Sequence, residues 1–306
     1  MQSPPTTTRR RSAVRGARPL LWIGPALALV AVVVLTPVVV MIYTACRKID
    51  TIGFDHGWAG WANFRRLFAE PDLKPVLQRT AVWVIAVVIL TMLVSLALAL
   101  LFNQQFPGRR VTRWALIAPW AASVFMTAIV FRWMLSPDSG LINIFLHDIG
   151  VLTKIGPNVS RADWLGRPGV AFWWMVGVAV FVSVPFTTYA ILAGLQTVPE
   201  ELYEAARVDG AGSVRAYFSI TLPLLRPALT VAALINIMNV FNNFPIIWEM
   251  TRGGPGHQSA TTTVFMYQIK ASSIPESAAL SVINFGIVIV FVLFFLKGSN
   301  WKSQVS

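Results

Sequence analysis

Charged residues are scarce in this 306-residue chain, where Asp, Glu, Lys and Arg together make up 12% of the sequence. A soluble domain typically carries about 25%, and 56% of this chain is hydrophobic. The apolar residues form runs close to the length of about 20 residues that a helix needs to cross a bilayer. Because a helix satisfies its own backbone polar groups in lipid, the sequence predicts an all-α polytopic membrane protein and excludes a soluble domain.

Cysteine is almost absent, since Cys46 is the only one. A single cysteine excludes an intrachain disulfide and any metal or redox site built from paired cysteines. Residues 43–46 partly resemble a lipoprotein cleavage site, but the apolar run before them is longer than the core of a signal peptide. We therefore expect Cys46 at the end of a first helix that the protein retains.

The chain also lacks a phosphate-binding loop, which needs a Gly-Lys pair followed by Ser or Thr, because none of its lysines follows a glycine. Nor does it contain a recognisable catalytic cluster. His56, His147 and His257 are far apart in three predicted outer loops, where solvated side chains are expected rather than a metal site. We therefore expect no catalytic residue, no metal ion and no cofactor in this chain.

Acidic residues are outnumbered by basic ones, which gives a formal net charge of +12. Nucleic-acid binding is not expected, because the basic residues are scattered over the tail and loops without a helix-turn-helix or RNA-binding pattern. Cationic loops beside anionic lipid headgroups explain the excess. Residues 1–19, rich in Pro, Thr and Arg, are expected to form a disordered tail, and their arginines place the N-terminus in the cytoplasm.

Six apolar runs predict six transmembrane helices, with both termini in the cytoplasm. We place these helices at about residues 20–44, 77–102, 114–135, 170–195, 227–248 and 278–296, with a break in the fourth at Pro185. The resulting organisation is a basic tail (1–19), a first helix with an outer segment (20–76), a core (77–296) and a short cytoplasmic tail (297–306).

The polar segment 197–223 lies between the fourth and fifth predicted spans and is dense in helix boundary signals. Thr197 and Glu200 fit a capping box, with Pro199 in the first turn. Gly210 and Gly212 stop the helix and permit positive φ. The pattern predicts a helix of about ten residues, too short to span a bilayer, and a second short helix from residue 213. Three acids stand near the positive end of the helix dipole: Glu200, Glu201 and Glu204.

Glu204-Ala205-Ala206, Gly210 and Ile220-x-Leu222-Pro223 resemble the EAA signature of the permease subunits of binding-protein-dependent ABC importers. The flanking residues resemble the carbohydrate-uptake branch. The resemblance implies that this segment is a coupling helix, which docks in a groove of a separate ATP-hydrolysing subunit. The residues that it assigns to coupling are Glu200, Glu201, Tyr203, Glu204, Ala205, Ala206, Asp209, Gly210, Ala211, Gly212, Leu222 and Pro223.

The resemblance to sugar permeases extends over about residues 110–296, through Ala118-Pro119-Trp120, residues 131–133 and the Gly-Gly-Pro loop at 253–255. Arg252 departs from the family pattern, which is usually small and polar there. The family implies a bacterial inner-membrane complex with a second, generally homologous permease and an extracytoplasmic solute-binding protein. Two ATPase subunits would bind the ATP and Mg²⁺ that this chain does not bind.

Asparagines concentrate in the fifth predicted span, where Asn236, Asn239 and Asn243 share one helical face and Asn242 points elsewhere. An amide in hydrocarbon usually faces a cavity or another helix. It can bond sugar hydroxyls, and the matching helix of related sugar permeases contributes to the solute site, but packing between helices is an equal alternative.

Aromatic and polar side chains nearby add further candidates for the solute path. Phe244 and Trp248 suit either stacking on a sugar or an interfacial belt. Weaker candidates are Ser183, Tyr189 and Asn284. Arg132, at the outer end of the third span, could snorkel to the interface, or meet a binding protein or an anionic solute.

Three alternatives to a carbohydrate importer remain open. An importer of glycerol 3-phosphate or a glycerophosphodiester would need cationic groups at the solute site. A stand-alone secondary transporter is disfavoured by the coupling segment and by the lack of obvious inverted repeats. An integral-membrane enzyme would need a charged catalytic cluster, whereas the predicted spans contain almost no acids or histidines.

Overall fold

A computed structural model describes residues 12–152 and 163–298 of the chain. Its helices are α1 (Ser12–Ala45), α2 (Ala62–Ala69), α3 (Leu73–Asn103), α4 (Arg109–Ala121), α5 (Val124–Met134), α6 (Leu141–Asp148), α7 (Pro168–Leu195), α8 (Glu200–Val208), α9 (Ser213–Ala216), α10 (Leu222–Phe241), α11 (Pro245–Thr251), α12 (Thr262–Ile269) and α13 (Ile274–Gly298). A π-helical turn, Tyr217–Thr221, joins α9 to α10. Two short antiparallel strands, β1 (Arg47–Ile49) and β2 (Asp55–Trp58), form a hairpin after α1.

The prediction of a helical membrane protein is confirmed. Within the described residues, five helical stretches are long and apolar enough to cross a bilayer. They are Ile23–Ala45, Leu73–Asn103, Pro168–Leu195, Ser213–Thr251 and Ile274–Phe295. Each exceeds the length of about 20 residues that crossing requires.

The third predicted span, 114–135, is not one helix. Ala122 and Ser123 have extended backbones, with ψ of 146° and 134°, and they separate α4 from α5. Serine is a preferred residue type just before a helix, which fits the restart at Val124. The prediction of a single continuous helix here is wrong, because neither α4 nor α5 alone has the length of a crossing.

Two further helices, α1 and α10, begin at residues other than those predicted from the sequence. Helix α1 begins at Ser12, so the part of the predicted disordered tail from residue 12 to 19 is helical, and residues 1–11 lie outside the described residues. Helix α10 begins at Leu222 rather than near residue 227, because Pro223 occupies its first turn, where a missing N–H costs nothing. The C-terminal tail beyond Gly298 is also outside the described residues.

The centre of the fold is the helix pair α3 and α7, on which α10 packs. Trp83 of α3 is 1% exposed, and its indole Nε1 donates to the carbonyl oxygen of Val240 at 3.0 Å. That carbonyl lies in the last turn of α10, where backbone acceptors have no partner within the helix. A buried aromatic side chain thus fixes the C-terminal end of α10 to α3.

Pro185 does not break the fourth span, because α7 runs through it without interruption. The hydroxyl of Ser95 donates to the carbonyl of Val184 at 3.2 Å, and that of Thr187 donates to the carbonyl of Ser183 at 2.8 Å. Hydroxyl groups of this kind satisfy backbone atoms around a proline in a membrane helix.

The segment between α1 and α3 is held by ion-pair and amide hydrogen-bond contacts. Asn63 of α2 donates to the carbonyls of Ala45 and Arg47 at 2.8 and 2.9 Å, which ties α2 to the end of α1. Arg47 bonds the carboxylate of Asp55 across the hairpin at 2.6 Å. This hydrogen bond lowers the pKa of Asp55 below its ordinary value.

The loop after α11 is anchored on the N-terminal part of α3. Arg79 donates to the carbonyls of His257 and Ala260 at 2.8 and 3.0 Å. The imidazole Nδ1 of His257 lies 2.9 Å from the side-chain oxygen of Gln268. His257 is therefore half-buried and hydrogen-bonded rather than fully solvated, whereas His56 and His147 are exposed.

Candidate functional site

Helix α8 begins without the capping box that the sequence predicts. The residue before its first turn is Pro199, and no side chain bonds the free amides there. The hydroxyl of Thr197 donates instead to the carbonyl of Gly194 at 2.8 Å, at the end of α7. The capping prediction is wrong because the unpaired carbonyls that end α7 compete for the same hydroxyl.

The end of α8 follows the prediction at Gly210 and departs from it at Gly212. Gly210 has φ of +75°, and the amide of Ala211 bonds the carbonyl of Ala206 at 2.8 Å, which is the hydrogen-bond pattern of a left-handed helix stop. Gly212 has φ of −68° and ψ of 162°. Only Gly210 therefore needs the conformational freedom of glycine.

Helix α8 and the segment after it are exposed. No residue of α8 is buried, and Val208 is 87% exposed. The large apolar side chains exposed on this segment are Leu202, Val208, Val214 and Phe218. Exposed apolar side chains near charged residues favour an interaction site, and Glu200, Glu201 and Glu204 of the same segment are exposed.

A single side-chain hydrogen bond links α8 to the start of α10. The phenol oxygen of Tyr203 lies 2.8 Å from the hydroxyl of Thr221, which is 5% exposed and ends the π-helical turn. Leu222 and Pro223 follow at once as the first residues of α10. Sequence reasoning missed Thr221, because only the π-helical turn brings its hydroxyl toward α8.

The asparagines of the fifth predicted span do not share one face. Helix α10 ends at Phe241 and α11 begins at Pro245, because a proline cannot donate the hydrogen bond that would continue the helix. Asn243 therefore lies in a break, and its side-chain oxygen accepts from the amide of Ile246 at 3.3 Å. Asn242 is exposed, and its side chain donates to a carbonyl of its own helix.

The two asparagines within α10 have different surroundings. Asn236 is 4% exposed, and its amide donates to the hydroxyl of Thr187 in α7 at 2.9 Å. Asn239, three residues later, is exposed. Asn236 is thus engaged in packing between helices, whereas Asn239 has its amide open to another molecule.

Aromatic rings gather beside the break between α10 and α11. Phe244 and Trp248 stack with centroids 5.3 Å apart. Tyr267 of α12, which sequence reasoning did not single out, contacts Phe244 at 5.2 Å and Trp248 at 4.8 Å. These three residues form the aromatic cluster. It is partly exposed, with Phe244 and Trp248 half-buried and Tyr267 exposed.

Glu249, which is 6% exposed, is contacted by both Arg132 and Arg252. Arg252 lies over the ring of Trp248, with its Cζ 4.7 Å from the centroid, and its guanidinium is 3.6 Å from the Glu249 carboxylate. Arg132 donates to the backbone carbonyl of Glu249 at 3.3 Å. The buried carboxylate offsets part of the positive charge of this pair.

The weaker candidates lie apart from the aromatic cluster. Tyr189 donates its hydroxyl to the carbonyl of Arg113 at 2.9 Å, in the second packing cluster of the fold, around Leu195 and Leu225. Asn284 is buried, and its side-chain oxygen has no hydrogen-bond partner in the part of the chain that the structure describes. Ser183 is half-buried in α7.

Relatives share the length and fold of this chain. A probable ABC transporter permease protein of Brucella suis is 37% identical over 94% of this chain and 98% of its own length. The trehalose/maltose transport system permease protein of Thermococcus litoralis is 32% identical over 92% of this chain and 93% of its own. A chain of a bacterial alginate ABC transporter, crystallised with an alginate-bound periplasmic protein, superposes with a TM-score of 0.78 at 19% identity and covers 97% of this chain and 99% of its own.

The alginate transporter likeness, at that identity, shows the fold alone. Residues 91–299 match the family described as the inner membrane component of binding-protein-dependent transport systems. This match includes α8 and every residue of the aromatic cluster. The chain therefore belongs to that family, the permease components of ABC transporters, as the EAA segment predicts.

Proposed function

We propose that this chain forms half of the translocation path of an ATP-driven carbohydrate importer and is coupled through α8 to a separate ATPase. The observation that carries the proposal is the exposed α8 between two membrane-length helical stretches. Its apolar side chains, such as Val208, lack a partner within the described residues. A rigid helix fixed at both ends to spanning helices transmits the displacement of a bound partner to the membrane.

The proposed assembly contains two permeases, two ATPases and an extracytoplasmic binding protein. Helices α4 and α5 together form a third crossing, which gives six crossings and puts both termini in the cytoplasm. ATP and Mg²⁺ bind to the ATPases, so this chain is a transport subunit and not an enzyme. The family description, which names a binding-protein-dependent system, supports an external binding protein.

A carbohydrate is the proposed solute because of the aromatic cluster and its polar neighbours. The cluster of Phe244, Trp248 and Tyr267 supplies aromatic surface, of which Tyr267 is the most exposed part. The exposed amide of Asn239 offers both donor and acceptor. The trehalose/maltose permease among the relatives supports this class. Asn236 is assigned to packing, because its amide is already bonded to Thr187.

An importer of glycerol 3-phosphate remains the second candidate, since Arg132 and Arg252 supply the cationic groups that it would need. Their shared contact with Glu249 counts against it. A phosphate would have to displace or tolerate that buried carboxylate, which repels it. An uncharged sugar ring meets no such penalty.

The test is uptake by proteoliposomes that contain this chain, its second permease, the ATPases and the solute-loaded binding protein. Uptake of a disaccharide should require ATP and stop when the ATPases are omitted. A Val208→Asp variant, which places a charge on the exposed face of α8, should lose uptake and remain inserted. Uptake that persists without ATPases contradicts the proposal, and uptake of glycerol 3-phosphate but not of sugars selects the second candidate.

A further inference from the structure

The turn between α3 and α4 carries three arginines that no carboxylate neutralises. Arg109, Arg110 and Arg113 lie in the first turns of α4, and none of them forms an ion pair within residues 12–152 and 163–298. Because α3 is a spanning helix that ends at Asn103, this turn lies at a bilayer boundary on whichever side of the membrane it faces.

Some guanidinium nitrogens at this turn are shielded from solvent and form no hydrogen bond within the described residues. The Nε atoms of Arg109 and Arg113 are buried and have no hydrogen-bond partner among the described residues. Arg113 uses another nitrogen to donate to the carbonyl of Phe102 at 2.7 Å. A buried donor without a partner is costly, and no carboxylate within the described residues neutralises these side chains, so their positive charge favours an anion at the turn.

A pocket at this turn is large enough to hold a phosphate group. Its volume is about 380 Å³, and it is lined by Gln105, Phe106, Gly108, Arg109 and Arg110. The backbone at Gly108, with φ of +87°, turns the chain sharply into α4. Two of the five lining residues are arginines, which suit the oxygens of a phosphodiester.

An apolar groove of about 470 Å³ begins beside the pocket, between α3, α4 and α7. Its lining includes Leu98, Phe102, Ala115, Leu116 and Val184. The pocket and the groove flank the same turn, because Phe102 and Thr112, which line the groove, precede and follow the residues 105–110 that line the pocket. A cationic pocket beside an apolar groove at a membrane boundary matches the two ends of a lipid.

We propose that this turn and groove bind an anionic phospholipid, with its phosphodiester headgroup at Arg109 and Arg110 and an acyl chain along the groove. A soluble phosphate compound would use the pocket alone and leave the groove empty. The side chains flanking the turn fit a lipid neighbour, since Val111 and Trp114 are 71% and 72% exposed, and tryptophan favours the membrane interface.

The test is a titration of the full-length chain in neutral detergent, with bound lipids counted by native mass spectrometry. Phosphatidylglycerol should bind more tightly than phosphatidylcholine with the same acyl chains. The double variant Arg109→Gln/Arg110→Gln should weaken phosphatidylglycerol binding about 30-fold, because each basic residue near the surface contributes a factor of about five. Arg113 is left intact because it also holds the end of α3.

The control is Arg65→Gln/Arg215→Gln, which removes two exposed charges elsewhere and should leave the affinity unchanged. An equal loss in this control would overturn the proposal, since net charge alone would then explain the binding. Ala115→Trp fills the groove without changing charge and should weaken binding of long-chain phosphatidylglycerol. Unchanged lipid binding in both Ala115→Trp and the double variant would also refute the site. The site would be refuted as well if soluble glycerol phosphate displaced phosphatidylglycerol as effectively as a second phospholipid does.

Discussion

Replacing Gly210 by valine should uncouple the permease from its ATPase without unfolding it. Gly210 has φ of +75°, and a β-carbon built there meets no atom within 4 Å. The effect is therefore backbone strain alone, about 1–2 kcal/mol for a side chain in the left-handed region. That strain lowers the equilibrium constant for forming the native turn by a factor of roughly 5 to 30.

The strain acts locally, because Gly210 lies in an exposed loop between α8 and α9. Thermal unfolding of the membrane core should change little, whereas α8 loses its fixed direction and binds the ATPase more weakly. The assay is co-purification with the ATPase, together with hydrolysis stimulated by the solute-loaded binding protein. Both readouts should fall by about the same factor of 5 to 30.

Gly212→Val is the matched control, since its φ of −68° and ψ of 162° suit valine and no atom lies within 4 Å of an added β-carbon. Its coupling should equal that of the wild type. Gly210→Asn should recover part of the loss, because asparagine tolerates the left-handed region. The reasoning is refuted if Gly210→Val couples normally, or if Gly212→Val is damaged as severely.

Three further predictions concern contacts elsewhere in the chain. Tyr203→Phe removes the bond to Thr221, worth about 0.5–1.5 kcal/mol, so solute-stimulated ATP hydrolysis should fall several-fold with insertion unchanged; wild-type hydrolysis would show that the bond is dispensable. Asn236→Ala should lower the melting temperature of the complex and leave the half-saturation concentration for uptake unchanged. Asn239→Ala should raise the half-saturation concentration and leave the melting temperature unchanged. The reverse pattern would assign Asn236 to the solute path and Asn239 to packing between helices. In a cysteine-free background, an impermeant thiol reagent applied to intact cells should label a cysteine at Gln258 but not one at Ser213; external labelling of Ser213 would invert the topology.

Local signals in the sequence predict the backbone conformation correctly where a single residue determines it. Gly210 has the positive φ that its place after an amphipathic run requires. Pro245 carries an equally local signal, since it cannot continue α10, but the apolar residues around it favoured one unbroken span. If Pro245 is interpreted as the start of a new helix, Asn243 falls outside the helix that contains Asn236, and the two no longer share a helical face.

Other features depend on contacts between distant segments, which a single sequence does not encode locally. The hydroxyl of Thr197 bonds the end of α7 rather than capping α8. Asn236 and Asn239 are equivalent in sequence, and only the position of Thr187 distinguishes the buried one. His257 lies in a polar loop, yet Arg79, 178 residues away in the chain, fixes the backbone at His257 onto α3.

Site-directed crosslinking of α8 tests the central claim most directly. Cys46 is replaced by serine, and a cysteine is introduced at Val208, which is 87% exposed. In the purified complex a short photoreactive maleimide attached to this cysteine should join it to the ATPase, whereas the same reagent on a cysteine at the exposed Phe68 of α2 should give no such product. Absence of the Val208 product, with the Phe68 variant linked to the ATPase instead, would contradict the assignment of α8 as the coupling helix.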